Sequence, residues 1–252
     1  MNALLDLQVE FAQIVSDRAG LPLSRALLDY TNLYVRFGLG RAFDAEHPGW
    51  REYVEGLARA ADPRVWTREL HARRPGPVEP PGLVATFGCF SYADLDGERI
   101  RLHFHDAETD GRSPLAKDRQ EARRAELAAL LAHVRRTRGG PRRVVGRSWL
   151  YNLEAYRRLF PPAYLATARP LRDAFRYMPL WGQFATRSGA LREAAARELR
   201  ERLARWSPGE DLAACFPLQP LAVEAPVAEF HRFFGRALPG ASQPVYSRSP
   251  TG

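Results

Sequence analysis

The chain has 252 residues, of which 45% are hydrophobic and 26% are charged. These values are ordinary for a globular protein and exclude a collagen-like or wholly disordered chain. No stretch approaches the roughly 18 uncharged apolar residues that a membrane helix needs, and Met1–Glu10 lacks the basic start of a secretory signal. We therefore expect a cytoplasmic protein that does not act in the membrane.

The formal net charge is +8, and Lys117 is the only lysine among 37 basic residues. Such an arginine bias is typical of a GC-rich bacterial genome. It also suits recognition of phosphate or carboxylate, because the planar guanidinium forms paired hydrogen bonds with these groups. The excess is spread along the chain and does not by itself predict nucleic-acid binding. Cys89 and Cys215 are the only cysteines, which argues against a disulfide framework or a thiolate zinc site.

The predicted organisation has a helical part followed by an α/β part. Residues 1–72 are predicted to be helical, because their apolar side chains recur with the spacing of helix faces. Residues 73–82 are rich in proline, which removes backbone donors and restricts φ, so we interpret them as a linker. Residues 83–238 are predicted to form an α/β domain, and residues 239–252 a flexible tail. The predicted fold class is α+β, with the helical part packed on a mixed or mainly antiparallel sheet with flanking helices.

The α/β part opens with a predicted β-hairpin. Its strands are Leu83–Tyr92 and Arg99–His105, and Asp94–Gly97 between them has the composition of a tight turn. Ser113, which a proline follows, is typical of a helix start. A further strand is predicted over Val144–Tyr151, because that segment is rich in β-formers.

Two more elements are predicted further along the chain. Phe175–Phe184 is interpreted as a strand, which its Pro179 restricts to a sheet edge or a bulge. Ser188 is then expected to cap a helix whose apolar residues recur in i, i+4 steps up to Trp206.

Two histidines are weak candidates for metal ligands. His103 and His105 lie on one face of a predicted strand, about 7 Å apart at two strand rises, and this spacing allows chelation. The alternative is the polar face of an amphipathic strand. Arg99 and Arg101 lie in the same row and repel a cation, so we predict no metal at this point.

The end of the strand predicted over Val144–Tyr151 is the first candidate for ligand binding. Stacking and hydrogen-bonding side chains are mixed there, as in a binding cleft; they are Arg147, Ser148, Trp149, Tyr151 and Asn152. Ser148 is not predicted to be a nucleophile of the G-x-S-x-G type, because leucine replaces the second glycine. The alternative interpretation is that these side chains pack in the protein interior and that their polar atoms form hydrogen bonds within the protein.

Two further segments are candidates for anion binding. Arg187, Ser188 and Gly189 precede a predicted helix start, where backbone amides attract anions; ordinary N-capping by Ser188 is the alternative. Arg135–Arg143 is a basic stretch without interleaved acids. It is either a solvated face or a surface for phosphate or nucleic acid.

The order of these segments resembles a known group of proteins. Ile100–His105, then Ser113-Pro-Leu, then Val145–Tyr151 and Leu159-Phe-Pro-Pro162 follow one another along the chain. This order is similar to that of uncharacterised bacterial proteins with a helical N-terminal domain and a GNAT-type acyltransferase-like C-terminal domain. The resemblance covers about residues 83–206. The chain departs from it because the pyrophosphate loop Q/R-x-x-G-x-G/A is not matched, and no paired general base and acid can be carried over.

The resemblance implies a GNAT-like acyltransferase, active or degenerate, that uses acyl-CoA. Its donor phosphates would lie near Arg187–Gly189, and the Arg147–Asn152 segment would contact the acceptor. The alternative function is a non-catalytic binding protein that presents Arg135–Arg143 to an anionic partner, with nucleic acid the less favoured choice. A third hypothesis is metal-dependent hydrolysis through His103 and His105. The sequence does not decide whether the protein is an enzyme.

Overall fold

The computed structural model describes residues 2–74, 82–137, 143–171, 174–176 and 178–237. Most of the predicted linker, 73–82, and all of the predicted tail, 239–252, lie outside these residues. The chain divides into two compact units, and each unit combines two stretches of sequence. The first unit contains Met1–Glu79 and Pro170–Leu221, and the second contains Pro80–Arg169 and Ala222–Gly252.

The fold is α+β, as predicted, and N-terminal helices precede a mixed sheet with flanking helices. The helices in chain order are α1 (Asn2–Ala19), α2 (Leu23–Tyr30), α3 (Leu33–Arg36), α4 (Pro48–Arg59), α5 (Pro63–Arg73), α6 (Gln120–Thr137), α7 (Glu154–Arg157), α8 (Pro162–Leu165), α9 (Met178–Trp181), α10 (Glu193–Leu203) and α11 (Val227–Ala237). The strands are β1 (Leu83–Phe87), β2 (Phe90–Asp94), β3 (Arg99–Phe104), β4 (Arg143–Ser148), β5 (Arg169–Pro170) and β6 (Leu221–Pro226).

The first unit is organised around α1, which is buried on two sides. Phe11 and neighbouring residues of one face pack with Phe175, Trp181 and Phe216. Residues of the other face, such as Leu5, join the cluster that α2 to α5 form. An 18-residue helix with apolar residues on both faces therefore becomes the centre of its unit, since neither face can be left in water.

The helix ends of the first unit follow from local chemistry. Pro48 occupies the first turn of α4, where its missing N–H is not needed. The Gly49 amide donates to His47 Nδ1 at 3.1 Å, and the Arg64 amide donates to Asp62 Oδ1 at 2.8 Å at the start of α5. Within the part of the chain that is predicted to be helical, α2 and α3 are separated at Asn32, whose amide donates to the buried side chain of Gln8 at 3.0 Å.

The sheet has the strand order β1-β2-β3-β4-β6-β5. Strands β1, β2 and β3 pair antiparallel, and α6 then crosses over so that β4 runs parallel to β3. The predicted hairpin is confirmed as β2 and β3. In its turn the Asp94 carboxylate accepts hydrogen bonds from the amides of Asp96 and Gly97 at 3.2 and 2.7 Å.

The predicted strand Leu83–Tyr92 is wrong in one respect, because it is two strands. The chain reverses between β1 and β2 at Gly88, which adopts a φ of 56° that favours glycine. A Cβ atom at this position would also overlap the carboxylate of Glu126. The alternation of apolar and polar residues does not reveal such a turn, because the turn contains few polar residues.

Three other expectations about elements are wrong. The helix expected at Ser113 begins at Gln120 after a 3-10 turn. The described residues within Phe175–Phe184 form short helical turns, because Phe175, Trp181 and Phe184 all enter the core of the first unit, whereas a strand alternates its side chains. The helix after Ser188 begins only at Glu193. Among the helices of the described ranges, none is long and apolar enough to cross a membrane.

Candidate functional site

The predicted binding segment lies at the end of β4 and in the 3-10 turn that follows it. Arg147 is exposed, and the Ser148 hydroxyl accepts a hydrogen bond from the Leu150 amide at 3.1 Å. Asn152 donates to the Trp149 carbonyl at 2.8 Å. Ser148 and Asn152 therefore stabilise the local turn, and the exposed members of the segment are Arg147 and Asn152.

Tyr151 from the same segment is buried and takes part in a tyrosine cluster. Its hydroxyl lies 2.9 Å from that of Tyr164, and its ring contacts Tyr156 with 5.1 Å between ring centroids. A Cβ atom at Gly146 would overlap the hydroxyl oxygens of both Tyr151 and Tyr164. Burial, and then the neighbouring Tyr164, raise the pKa of Tyr151 well above its usual range, so the hydroxyl stays protonated. The two hydroxyls thus lie directly against the backbone of β4.

The parallel pairing of β3 and β4 is short. It joins Arg99 to Arg143, Ile100 to Val144 and Arg101 to Val145. The strands themselves continue to Phe104 and Ser148, and across these fully described residues no further pair of the ladder joins β3 to β4. The two parallel strands therefore stop pairing one residue before Gly146.

The second predicted segment, Arg187–Gly189, belongs to the first unit, whereas Arg147–Asn152 belongs to the second. It forms an exposed turn inside a short bridge between Ala185 and Leu191. The Gly189 amide donates to the Thr186 carbonyl at 3.0 Å. The Ala190 amide donates to the Thr186 hydroxyl at 3.0 Å. These amides are used within the turn itself, and Ser188 does not cap α10.

Of the two candidate metal-ligand histidines, His103 lies within strand β3 and His105 lies after its end. His103 pairs with Ser91 within the sheet, whereas His105 follows β3 and its amide donates to the Cys89 carbonyl at 3.0 Å. In the part of the chain that the structure describes, no three His, Cys, Asp or Glu side chains are grouped so that they could hold a metal ion.

The basic stretch Arg135–Arg143 is described only at its two ends, because residues 138–142 lie outside the described ranges. Arg135 and Arg136 are exposed in the last turn of α6. Arg143 at the start of β4 forms an ion pair with Glu224 of β6. Burial, and then the charge of Arg135, lower the pKa of His231 on α11, so this histidine is neutral near pH 7.

An open pocket of about 540 Å³ lies in the second unit. Its charged lining consists of Arg124 from the start of α6 and Glu154, Arg157 and Arg158 from the region of α7. The apolar lining residues are Phe160, Pro162, Leu165, Ala166 and Phe233. The pocket thus begins two residues after the predicted segment ends at Asn152, but it contains none of the predicted site residues.

The arginines of the pocket are oriented by backbone carbonyl groups. Arg124 Nη2 donates to the Arg158 carbonyl at 3.0 Å, and its guanidinium lies over the Phe233 ring at 5.4 Å from the centroid. Arg158 Nη2 donates to the Leu115 carbonyl at 3.1 Å. The adjacent arginines before Leu-Phe-Pro-Pro are a sequence signal for this pocket, but Arg124 and Phe233 come from distant parts of the chain.

A buried ionic cluster next to the β1–β2 turn was not predicted. Arg123 is 5% exposed and its Nη2 lies 2.8 Å from Glu108 Oε1 and 2.7 Å from Glu126 Oε1. Arg123 also donates to the thiol of Cys89, and the Cys89 amide donates to Glu126 Oε2 at 3.0 Å. Arg119 pairs with Glu108 as well. Burial raises the pKa of Glu126 and also that of the Cys89 thiol, so the thiol is not a reactive thiolate.

Comparison with protein-family models, with curated proteins and with solved structures finds no match to this chain. Its function is therefore inferred from the arrangement of its own residues.

Proposed function

We propose that this protein is a GNAT-like acyltransferase, active or degenerate, that takes acyl-CoA as its ligand. The observation that carries the proposal is the pair of parallel strands β3 and β4, which the crossover helix α6 connects and which pair over only three residue positions. The short ladder supports a cleft between the two strands, of the kind that the family resemblance implies.

A strand edge beyond the end of a ladder suits an extended ligand that carries amide groups. Where β3 and β4 stop pairing, the backbone groups of Gly146–Ser148 that would face β3 are not used by that ladder. An added chain can pair with such a strand edge through main-chain hydrogen bonds. The pantetheine arm of coenzyme A is extended and has amide groups, so it has the chemistry to bind there.

Acyl transfer from a thioester requires that an acceptor nucleophile attack the carbonyl carbon and that the thiolate leave with a proton. Tyr151 and Tyr164 are the hydroxyl donors next to Gly146, where the ladder has just ended. Burial raises the pKa of both hydroxyls well above their usual range and keeps them protonated. Because a hydroxyl whose pKa lies well above the operating pH is a weak acid, we do not assign the protonation of the leaving thiolate to Tyr151 or Tyr164. The leaving thiolate instead takes up the proton that the acceptor amine loses.

Calorimetric titration of the whole protein with acetyl-CoA and with longer acyl-CoA thioesters tests this proposal. We expect saturable binding with one ligand per chain, and release of thiol when an amine acceptor is added if the enzyme is active. Binding without thiol release across a panel of amines would identify a degenerate enzyme. No heat of binding at millimolar acyl-CoA would contradict the proposal.

A non-catalytic function is the second candidate, because Arg135 and Arg136 are both exposed in the last turn of α6. This function predicts association with an anionic polymer that weakens steeply with salt, as counterion release requires. A fluorescent oligonucleotide is a suitable probe. Replacing both arginines by glutamine should reduce the salt slope by about 1 for each lost phosphate contact. A slope that does not change would exclude this surface as the binding site.

A further inference from the structure

We propose that the pocket lined by Arg124, Arg157, Arg158 and Phe233 binds a small organic anion, in which a carboxylate or phosphate group is attached to an apolar body. The inference does not depend on acyl transfer and concerns a site that the function proposed above does not use. It rests on the charge of the lining, on how two of the arginines are oriented and on the apolar part of the wall.

The lining is positively charged. Three guanidinium groups face one carboxylate, that of Glu154, which leaves a formal excess of two positive charges. Arg157 is exposed, and among the described residues it forms no ion pair. An exposed arginine without a partner carboxylate keeps its donors for a ligand, and its fork matches a carboxylate or phosphate.

The other two arginines are held in place without being neutralised. Arg124 and Arg158 donate to carbonyl oxygens, and a carbonyl group orients a guanidinium but carries no net charge. The acidic partner of Arg124 is Glu121, at 3.8 Å, and the Glu121 side chain is 75% exposed. The Nε atoms of Arg124 and Arg158 are buried and have no hydrogen-bond partner among the described residues. Both cations are therefore pre-oriented, and their charge is available to an anion.

The rest of the wall requires a ligand with an apolar part. Phe160, Pro162 and Leu165 form one apolar side, and Phe233 contributes a ring that already stacks with Arg124. A volume of about 540 Å³ lies within the roughly 300–1,000 Å³ that is usual for small-molecule sites. A simple inorganic anion would use the charges alone and leave the apolar wall in water. A ligand with both parts should therefore bind more tightly than either part alone.

The test is calorimetric titration of the full chain with four probes: phenyl phosphate, phenylacetate, inorganic phosphate and benzyl alcohol. We expect at least one of the two aromatic anions to bind, and the preferred one identifies the ligand as a phosphate or as a carboxylate. Inorganic phosphate lacks the apolar body and benzyl alcohol lacks the anionic group. Each should therefore bind at least about tenfold more weakly than the preferred aromatic anion.

The variant Arg157→Gln should weaken the binding of the preferred aromatic anion about tenfold, the loss expected for one charge-assisted hydrogen bond. Because Arg157 is exposed, this change is not expected to alter folding. Arg51→Gln, at an exposed position of α4 in the first unit, is the matched control and should bind like the unchanged protein. The proposal is overturned if neither aromatic anion binds at millimolar concentration, if inorganic phosphate binds equally well, or if Arg157→Gln binds with unchanged affinity.

Discussion

At the scale of single residues, the second unit depends on a few positions where one atom decides what fits. Gly146 is the clearest of them, because the hydroxyl groups of Tyr151 and Tyr164 occupy the space that any side chain would need. Arg123 is another, since its guanidinium is the shared partner of two carboxylates in a nearly dry environment. Both positions lead to predictions about stability.

The change Gly146→Ala should destabilise the protein by about 1–3 kcal/mol, which is typical when a methyl group is forced into a packed core. Urea denaturation measures this. The second change Tyr151→Phe removes one of the two overlapping oxygens, so it should cost less in the Gly146→Ala background than in the original protein. Strictly additive effects in this double-mutant cycle would show that the two positions do not interact.

The change Arg123→Met should destabilise the protein by about 3–5 kcal/mol, because Glu108 and Glu126 would lose a buried cationic partner. Arg112→Met is the matched control. Its ion pair with Asp118 is more than half exposed on both sides, with side-chain exposures of 57% and 55%, so its loss should cost only about 0–1 kcal/mol. Equal denaturation midpoints for the two variants would contradict the structural role of the cluster.

The penalty of Arg123→Met should also depend on pH. Burial already raises the pKa of Glu126, and the variant loses the positive charge that opposes this rise. An acid whose folded pKa lies above its unfolded pKa destabilises the folded state as pH rises through the folded value. The variant should therefore lose less stability at about pH 5 than at about pH 8, as urea denaturation at both values can measure. A penalty that grows on acidification would have the wrong sign.

At the scale of secondary-structure elements, helix α1 shows how one element organises a unit. Its two apolar faces belong to two hydrophobic clusters. The single residue Phe11 contacts three aromatic rings, those of Phe175, Trp181 and Phe216. Helical periodicity is enough to predict α1 itself. The aromatic run Phe175–Phe184 was predicted wrongly, because aromatic content favours a strand locally while the packing around Phe11 requires turns that direct several rings to one side.

The change Phe11→Ala should destabilise the first unit by about 3–5 kcal/mol, since a large buried ring would be replaced by a cavity. Asp17→Ala on the same helix is the control, because Asp17 is exposed and should change stability by less than about 0.5 kcal/mol. Thermal or urea denaturation followed by circular dichroism distinguishes the two. A small effect of Phe11→Ala would show that its ring cluster does not support the fold.

At the scale of the whole molecule, the two units do not follow the order of the chain. Pro170–Leu221 belongs to the same unit as the N-terminal helices. The fragment Met1–Glu79 should therefore fail to unfold cooperatively when expressed alone, because Phe11 would lose Phe175, Trp181 and Phe216. Addition of a peptide spanning residues 170–221 should restore helicity. A cooperative urea transition of the fragment alone would show that it is an independent domain.

The sequence by itself determined the class of the fold and those elements whose signals are local. The α+β class and the β2–β3 hairpin with its Asp94 turn both depend on neighbouring residues, so periodicity and turn chemistry are sufficient to predict them.

Only the tertiary structure decided what lies together in space. The parallel ladder of β3 and β4, the contact of Arg123 with Cys89 and the pocket of Arg124, Arg158 and Phe233 join residues that are tens to more than a hundred positions apart. No local pattern encodes such pairings, because they are set by which surfaces must be buried against each other. The predicted binding segment Arg147–Asn152 is therefore adjacent in sequence to the pocket, but the arginines that line the pocket were not predicted as site residues.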